Sequence, residues 1–185
     1  MLTREQILAA FTALNEKLRL RDTQGELALL GGAVMLLAFR ARLSTKDVDA
    51  IFSPTSEIRA AAAEVAQELG LEADWLNDGA KGFVSPQAQF VEADLPRFSH
   101  LRITYPIPEY LLAMKVLASR VESDFERGDR ADIVTLCGLL GLQDADEVMA
   151  IVLRYYSPER VSPRAVFLVR EILSAQSINP PPSPK

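Results

Sequence analysis

Every segment that reads as a strand lies before Pro108, and the sequence after it reads as helices followed by a proline-rich tail. That asymmetry constrains the fold most, because strands confined to one stretch must pair among themselves. The chain opens with Ile7, Leu8, Phe11, Leu14 and Leu18 at helical spacing, with Thr3 and Gln6 placed as a capping box. Leu27-Ala28-Leu29-Leu30 then reads as a buried strand stopped by Gly31-Gly32, followed by a short helix over residues 33–40. Residues 46–53 alternate Val48, Ala50 and Phe52 against Asp47, Asp49 and Ile51, a strand ended by Pro54. The alanine-rich stretch 56–69 is a helix with Gly70 as its stop. Turns are expected at 75–79 and 85–86, and further strands at 89–93 and 101–105. Helices follow over 109–121, 129–140, 145–155 and 163–175. The expected class is α+β: a small mixed sheet with flanking helices over 1–107, a helical subdomain over 108–177, and a flexible proline-rich tail over 178–185.

Composition narrows the function classes. Hydrophobic residues make up 49% and charged residues 24% of the 185, which excludes wholesale disorder. A single cysteine and a single histidine exclude an internal disulfide and a Cys/His zinc site. Cys137 lies in the apolar run Leu136-Cys137-Gly138-Leu139-Leu140 and reads as core, not as a nucleophile served by His100. The first twenty residues mix charged and apolar positions without a signal-peptide pattern, and no apolar stretch is long enough to cross a membrane. A cytoplasmic protein is expected, with no membrane partner. The net charge of −5 argues against tight non-specific nucleic-acid binding while leaving room for a local basic patch.

Two features point to chemistry. On a strand, Asp47 and Asp49 project to one face with Cα atoms roughly 6.5–7 Å apart. Adjacent carboxylates repel unless a cation lies between them, and Mg²⁺ takes one or two carboxylates together with substrate phosphates. The plainer reading is a solvent-facing strand edge with two harmless charges, and an Asp-X-Asp also occurs in metal-dependent glycosyltransferases. Gly31-Gly32, between a strand and a helix, lets backbone approach a ligand and favours phosphate. Its plainer reading is a tight strand-to-helix turn.

The order strand, Gly-Gly, short helix and Asp-X-Asp strand resembles the nucleotidyltransferase superfamily to which DNA polymerase β belongs. The resemblance rests on Leu30-Gly31-Gly32-Ala33 and on Arg42-Leu43-Ser44-Thr45-Lys46-Asp47-Val48-Asp49, within residues 27–52. It extends less specifically to Tyr110-Leu111-Leu112-Ala113-Met114-Lys115 and Asp129-Arg130-Ala131-Asp132-Ile133. Those segments are similar to the toxin–antitoxin branch, which includes the abortive-infection type IV toxins, where a lysine and a further aspartate follow the metal pair. The resemblance implies transfer of NMP from a nucleoside triphosphate to a hydroxyl of RNA, tRNA included, or of protein. Asp47 and Asp49 would hold Mg²⁺ or Mn²⁺. Gly31, Gly32, Arg42, Ser44 and Lys46 would bind the nucleotide, and Lys115 and Asp132 would join Asp47 and Asp49 in catalysis. A cognate toxin or antitoxin is an implied partner.

Other readings of these residues stand beside it. Arg40, Arg42 and Lys46 contact a triphosphate or are solvated loop charges. Lys115 is the one charge in the apolar stretch 111–118, so its stem snorkels or its ammonium meets an anion, for which Asp47 or Asp49 is the expected partner. Asp132, near a helix start, is otherwise an N-cap or a first-turn acid. The sequence departs from the family in one respect: the strand at 101–105 carries no third carboxylate, leaving Glu92, Asp94 or Asp132 as substitutes. Without one, the alternative is a catalytically degenerate fold acting as an antitoxin or scaffold module.

Overall fold

A computed structural model describes residues 1–119 and 125–178, with the side chains of 125–127 and 176–178 left out of account. The expected tail falls almost wholly on 179–185, outside the described residues. The chain is mixed α+β, and it divides into two compact units. Unit 1 comprises Met1–Gly82 with Phe90–Pro106, and unit 2 comprises Phe83–Gln89 with the chain from Ile107 onward.

Unit 1 contains helix α1 (Arg4–Leu20), strand β1 (Gly25–Leu29), helix α2 (Gly31–Leu37), strand β2 (Val48–Ser53), helix α3 (Thr55–Leu69), and strands β3 (Leu76–Asn77), β4 (Phe90–Glu92) and β5 (Leu101–Pro106). The five strands form one sheet in the order β3-β2-β1-β5-β4. β1 runs antiparallel to β2 and parallel to β5, β3 runs parallel to β2, and β4 runs antiparallel to β5. Leu29 pairs with Ala50, so the end of β1, where α2 begins, lies beside the start of β2.

The apolar stripe of α1 (Ile7, Ala10, Phe11, Leu14, Leu18) is buried, as is that of α3 (Ile58, Ala61, Ala62, Val65, Ala66). Trp75 joins this core and its indole N–H donates to the Ala62 carbonyl at 3.0 Å, so the one polar atom of a large apolar side chain is satisfied. Caps fall where the residues place them. Thr3 and Gln6 form the reciprocal capping box, and Gly70 ends α3 in the left-handed conformation, φ +63°.

Two differences from the expected boundaries bear on the site. The glycine pair forms the first two residues of α2, not a turn ahead of it. β2 begins at Val48, because Thr45 is drawn into an isolated bridge with Leu2: Leu2 N–H donates to Thr45 O at 2.6 Å, and Thr45 N–H to Leu2 O at 2.9 Å. Asp47 therefore precedes the strand that Asp49 sits on.

Unit 2 contains helices α4 (Pro108–Ala118), α5 (Phe125–Leu140), α6 (Ala145–Tyr155) and α7 (Pro163–Ile178). α4 is buried on nearly every side, through Tyr110, Leu111, Leu112, Ala113, Met114, Lys115 and Val116. A helix apolar all round belongs at the centre of its unit. The segment Phe83–Gln89 is held there by hydroxyls. Ser85 N–H donates to Tyr110 Oη at 2.9 Å, Ser85 Oγ donates to Tyr155 O at 2.5 Å, and Tyr156 Oη donates to Phe83 O at 2.5 Å. Among the described residues, no helix is long and apolar enough to cross a membrane.

Candidate functional site

A side chain at either glycine of the pair would crowd its neighbours. Gly31 has φ +61°, and a Cβ on it would stand 3.0 Å from Asp49 Oδ2. A Cβ on Gly32 would stand 2.7 Å from Thr45 Oγ1 and 3.3 Å from Arg42 Nη1. Bare backbone at the start of α2 thus lets the Asp49 carboxylate settle against one glycine, and the Thr45 hydroxyl and Arg42 guanidinium against the other. Thr45 is buried and fixed by its bridge to Leu2, so the fit at Gly32 is rigid on that side.

Asn77 stands beside Asp49 in the β2–β3 register. Its Oδ1 accepts the Gly79 N–H at 2.8 Å, and its side chain is also hydrogen-bonded to Asp47. Asp49 Oδ1 lies 3.8 Å from where a Gly79 Cβ would be. The turn Asn77-Asp78-Gly79 therefore gathers both carboxylates, although only Asp49 is on the strand. Burial raises the Asp47 carboxyl above its ordinary range; the adjacent Lys46 charge lowers it, Asp74 raises it, and the Asn77 hydrogen bond lowers it. Ser44 is half-buried in the same loop, and Lys46 is exposed.

The substitutes for a third carboxylate are elsewhere. Glu92 is on β4, three strands from β2 in the sheet order, a separation of about 14 Å at the usual strand spacing. Asp94 follows β4 and lines a pocket that includes neither Asp47 nor Asp49. Among the described residues, no group of three His, Cys, Asp or Glu side chains is arranged to hold a metal ion. Beside Asp49 the position is taken by an amide, Asn77. The sequence predicts a turn at 75–79, and an asparagine two residues before a glycine is the signal there for the role of Asn77.

Lys115 and Asp132 belong to an arrangement within unit 2. The Lys115 ammonium meets Asp129 Oδ1 at 2.7 Å and Asp132 Oδ2 at 2.8 Å. Lys115 is 8% exposed and Asp132 2%. The lysine does find an anion, but its partners are these two acids and not the Asp47 or Asp49 expected from the sequence. Asp132 is not an N-cap either: α5 starts at Phe125, which puts Asp132 two turns inside. Cys137 is fully buried, and desolvation pushes its thiol up to about 11, consistent with a core residue.

No family model, curated protein or solved structure matches this chain.

Proposed function

We propose that unit 1 is a nucleotidyltransferase-like domain that transfers NMP from a nucleoside triphosphate to a hydroxyl on RNA or protein, the hydroxyl oxygen bonding the α-phosphorus as pyrophosphate leaves and its proton passes to solvent. One observation carries the reading: two carboxylates, an arginine and closely approached glycine backbone gather at one end of the sheet. A metal–triphosphate complex needs that mixture, acids for the cation and a fixed cation with bare backbone for phosphate oxygens.

The residues fit a divalent cation to this extent. Asp47 and Asp49 are both partly buried and are gathered by one turn, and crowding and burial make the charged form of Asp47 costly, which a cation would relieve. They would hold the ion, with Asn77 as a neutral neighbour. The chemistry Mg²⁺ or Mn²⁺ supplies when bound is charge neutralisation on the triphosphate and activation of the acceptor hydroxyl. Arg42, lodged against Gly32, orients phosphate oxygens, and Lys46 adds an exposed positive charge at the same loop. Positioning of this kind is most of what phosphoryl-type transfer asks of a protein. Lys115 and Asp132 serve the fold of unit 2 in this reading, since the ammonium is already engaged by two carboxylates.

A second reading, a degenerate fold acting as a binding, antitoxin or scaffold module, is favoured by the lack of a third metal-ligating side chain among the described residues. Incubation with each radiolabelled NTP, Mg²⁺ and total cellular RNA or protein separates the two. Label transfer that Asp49→Asn abolishes supports the enzyme. NTP binding without transfer supports the module, and loss of both overturns the nucleotide reading altogether.

A further inference from the structure

Unit 1 has a polar pocket that shares no residue with the site at Asp47 and Asp49. Its volume is about 130 Å³, and it is lined by Arg4, Leu37, Ala38, Arg40, Asp94, Leu95 and Tyr105. Arg4 Nε is, among the described residues, the one buried side-chain nitrogen or oxygen without a hydrogen-bond partner. The Arg4 side chain as a whole is half-buried, and a buried donor atom without an acceptor is costly, so this nitrogen favours an acceptor in the pocket.

Both arginines also break local rules. Arg4 is the first residue of α1, where a positive charge opposes the helix dipole. Arg40 has φ +52°, just past the end of α2, at a place where glycine would carry no steric cost. The bend itself is explained, since Ala41 N–H donates to Met35 O at 2.9 Å. The arginine is not, for glycine would make the same bend. When two residues contradict their local preferences and both line one pocket, a shared ligand reconciles them.

We propose that this pocket binds the phosphate group of a small sugar phosphate. Two guanidiniums against one carboxylate leave a positive excess in a chain of net charge −5, and guanidinium forks match phosphate oxygens. Asp94 can only accept hydrogen bonds when ionised, so the ligand carries a donor beside its anionic group, as a sugar hydroxyl does. The cavity has room for a phosphate with a few carbons.

The test is calorimetric titration of the full chain with ribose 5-phosphate, inorganic phosphate and succinate. Ribose 5-phosphate is expected to bind more tightly than phosphate, and phosphate more tightly than succinate. Arg40→Gly keeps the backbone conformation without the guanidinium, so it should fold with an unchanged or raised melting temperature and weaken ribose 5-phosphate by about tenfold or more. Arg4→Gln should weaken it similarly, and Asp94→Asn should weaken the sugar phosphate while sparing inorganic phosphate. Failure of the wild-type chain to bind either phosphate at ~10 mM, a range that already admits very weak ligands, overturns the proposal. So does a preference for succinate, or undiminished binding by a folded Arg40→Gly. Asp47→Asn, run in parallel, should leave this binding unchanged, which separates the pocket from the nucleotide site.

Discussion

Two places in the molecule bring two carboxylates together, and they settle the charge in opposite ways. In unit 2, Asp129 and Asp132 share the Lys115 ammonium at 2.7 and 2.8 Å. Nothing further is needed to neutralise Lys115 there. In unit 1, Asp47 is hydrogen-bonded by an amide, crowded by Asp74 and lifted by burial, while Asp49 is seated against glycine backbone. The first arrangement is closed and supports a fold. The second keeps the charged form of Asp47 costly even with the Lys46 charge beside it, which suits a carboxylate that a bound metal ion would relieve.

The sharpest way to break this contrast is to remove the lysine. Lys115→Met leaves one nearly inaccessible carboxylate and one partly exposed one without their cation. It should cost about 3–5 kcal/mol, nearer the lower figure because Asp129 retains some access to water. Urea unfolding measures it, and a loss under about 1 kcal/mol would show that the triad does not hold unit 2 together. Replacing Lys115 by Met and Asp132 by Leu together should recover much of that loss.

Next in size is Gly32→Val. A Cβ there would press on the Thr45 hydroxyl at 2.7 Å, so this change should destabilise by about 1–3 kcal/mol whether or not nucleotide binds. The glycine therefore serves the packing of the loop against α2. A Val variant with wild-type denaturation would mean that Thr45 gives way easily.

Asp47→Asn tests the open site through its pH dependence. Burial holds the Asp47 carboxyl above the ordinary carboxylate range in the folded state, so the folded chain binds its proton more tightly than the unfolded chain does. This contribution is favourable at low pH and is lost as pH rises through the folded-state value. The Asn variant should thus be more stable than wild type at neutral pH, with the gap closing below about pH 4. Thermal melts across that range check the sign. Adding Mg²⁺ with NTP should raise the wild-type melting temperature and leave the variant unmoved.

The smallest effect sharpens the contrast from outside. Arg102 and Glu26 form a pair at 3.5 Å with both side chains at least 60% exposed. Arg102→Gln should change stability by less than about 0.5 kcal/mol in chemical denaturation. A value near that of Lys115→Met would overturn the argument that burial, not pairing, sets the cost.

What the sequence made legible was local. The Thr3–Gln6 box, the Gly70 stop and the alternation of Val48, Ala50 and Phe52 each depend on neighbours a few residues away, and each appears in the structure. What it hid depended on distant partners. Asp47 lies off the strand because Thr45 pairs with Leu2, more than forty residues earlier in the chain. Lys115 finds its partners on the next helix. Asp129 and Asp132, three apart, share a helix face, but placing the start of that helix at 129 disguised them as capping residues. Glu92 and Asp94 are close to Asp49 in neither sequence nor strand order, and no local pattern could show that the place beside Asp49 belongs to Asn77.

The segment Phe83–Gln89 has a consequence for how the chain is made. It belongs to unit 2, yet it is followed by β4 and β5, which complete the sheet of unit 1. Ser85 leaves the ribosome 70 residues ahead of Tyr155, whose carbonyl accepts its hydroxyl hydrogen bond. During synthesis the sheet can therefore close while this segment still waits for the helices that will receive it. A nascent chain arrested just after Pro106 carries all five strands of the sheet but leaves Ser85 without Tyr110 and Tyr155. A fragment begun at Ile107 has the opposite defect: Tyr156 is present and the Phe83 carbonyl it donates to is missing. Neither half of the gene, cut at Pro106, encodes a finished piece.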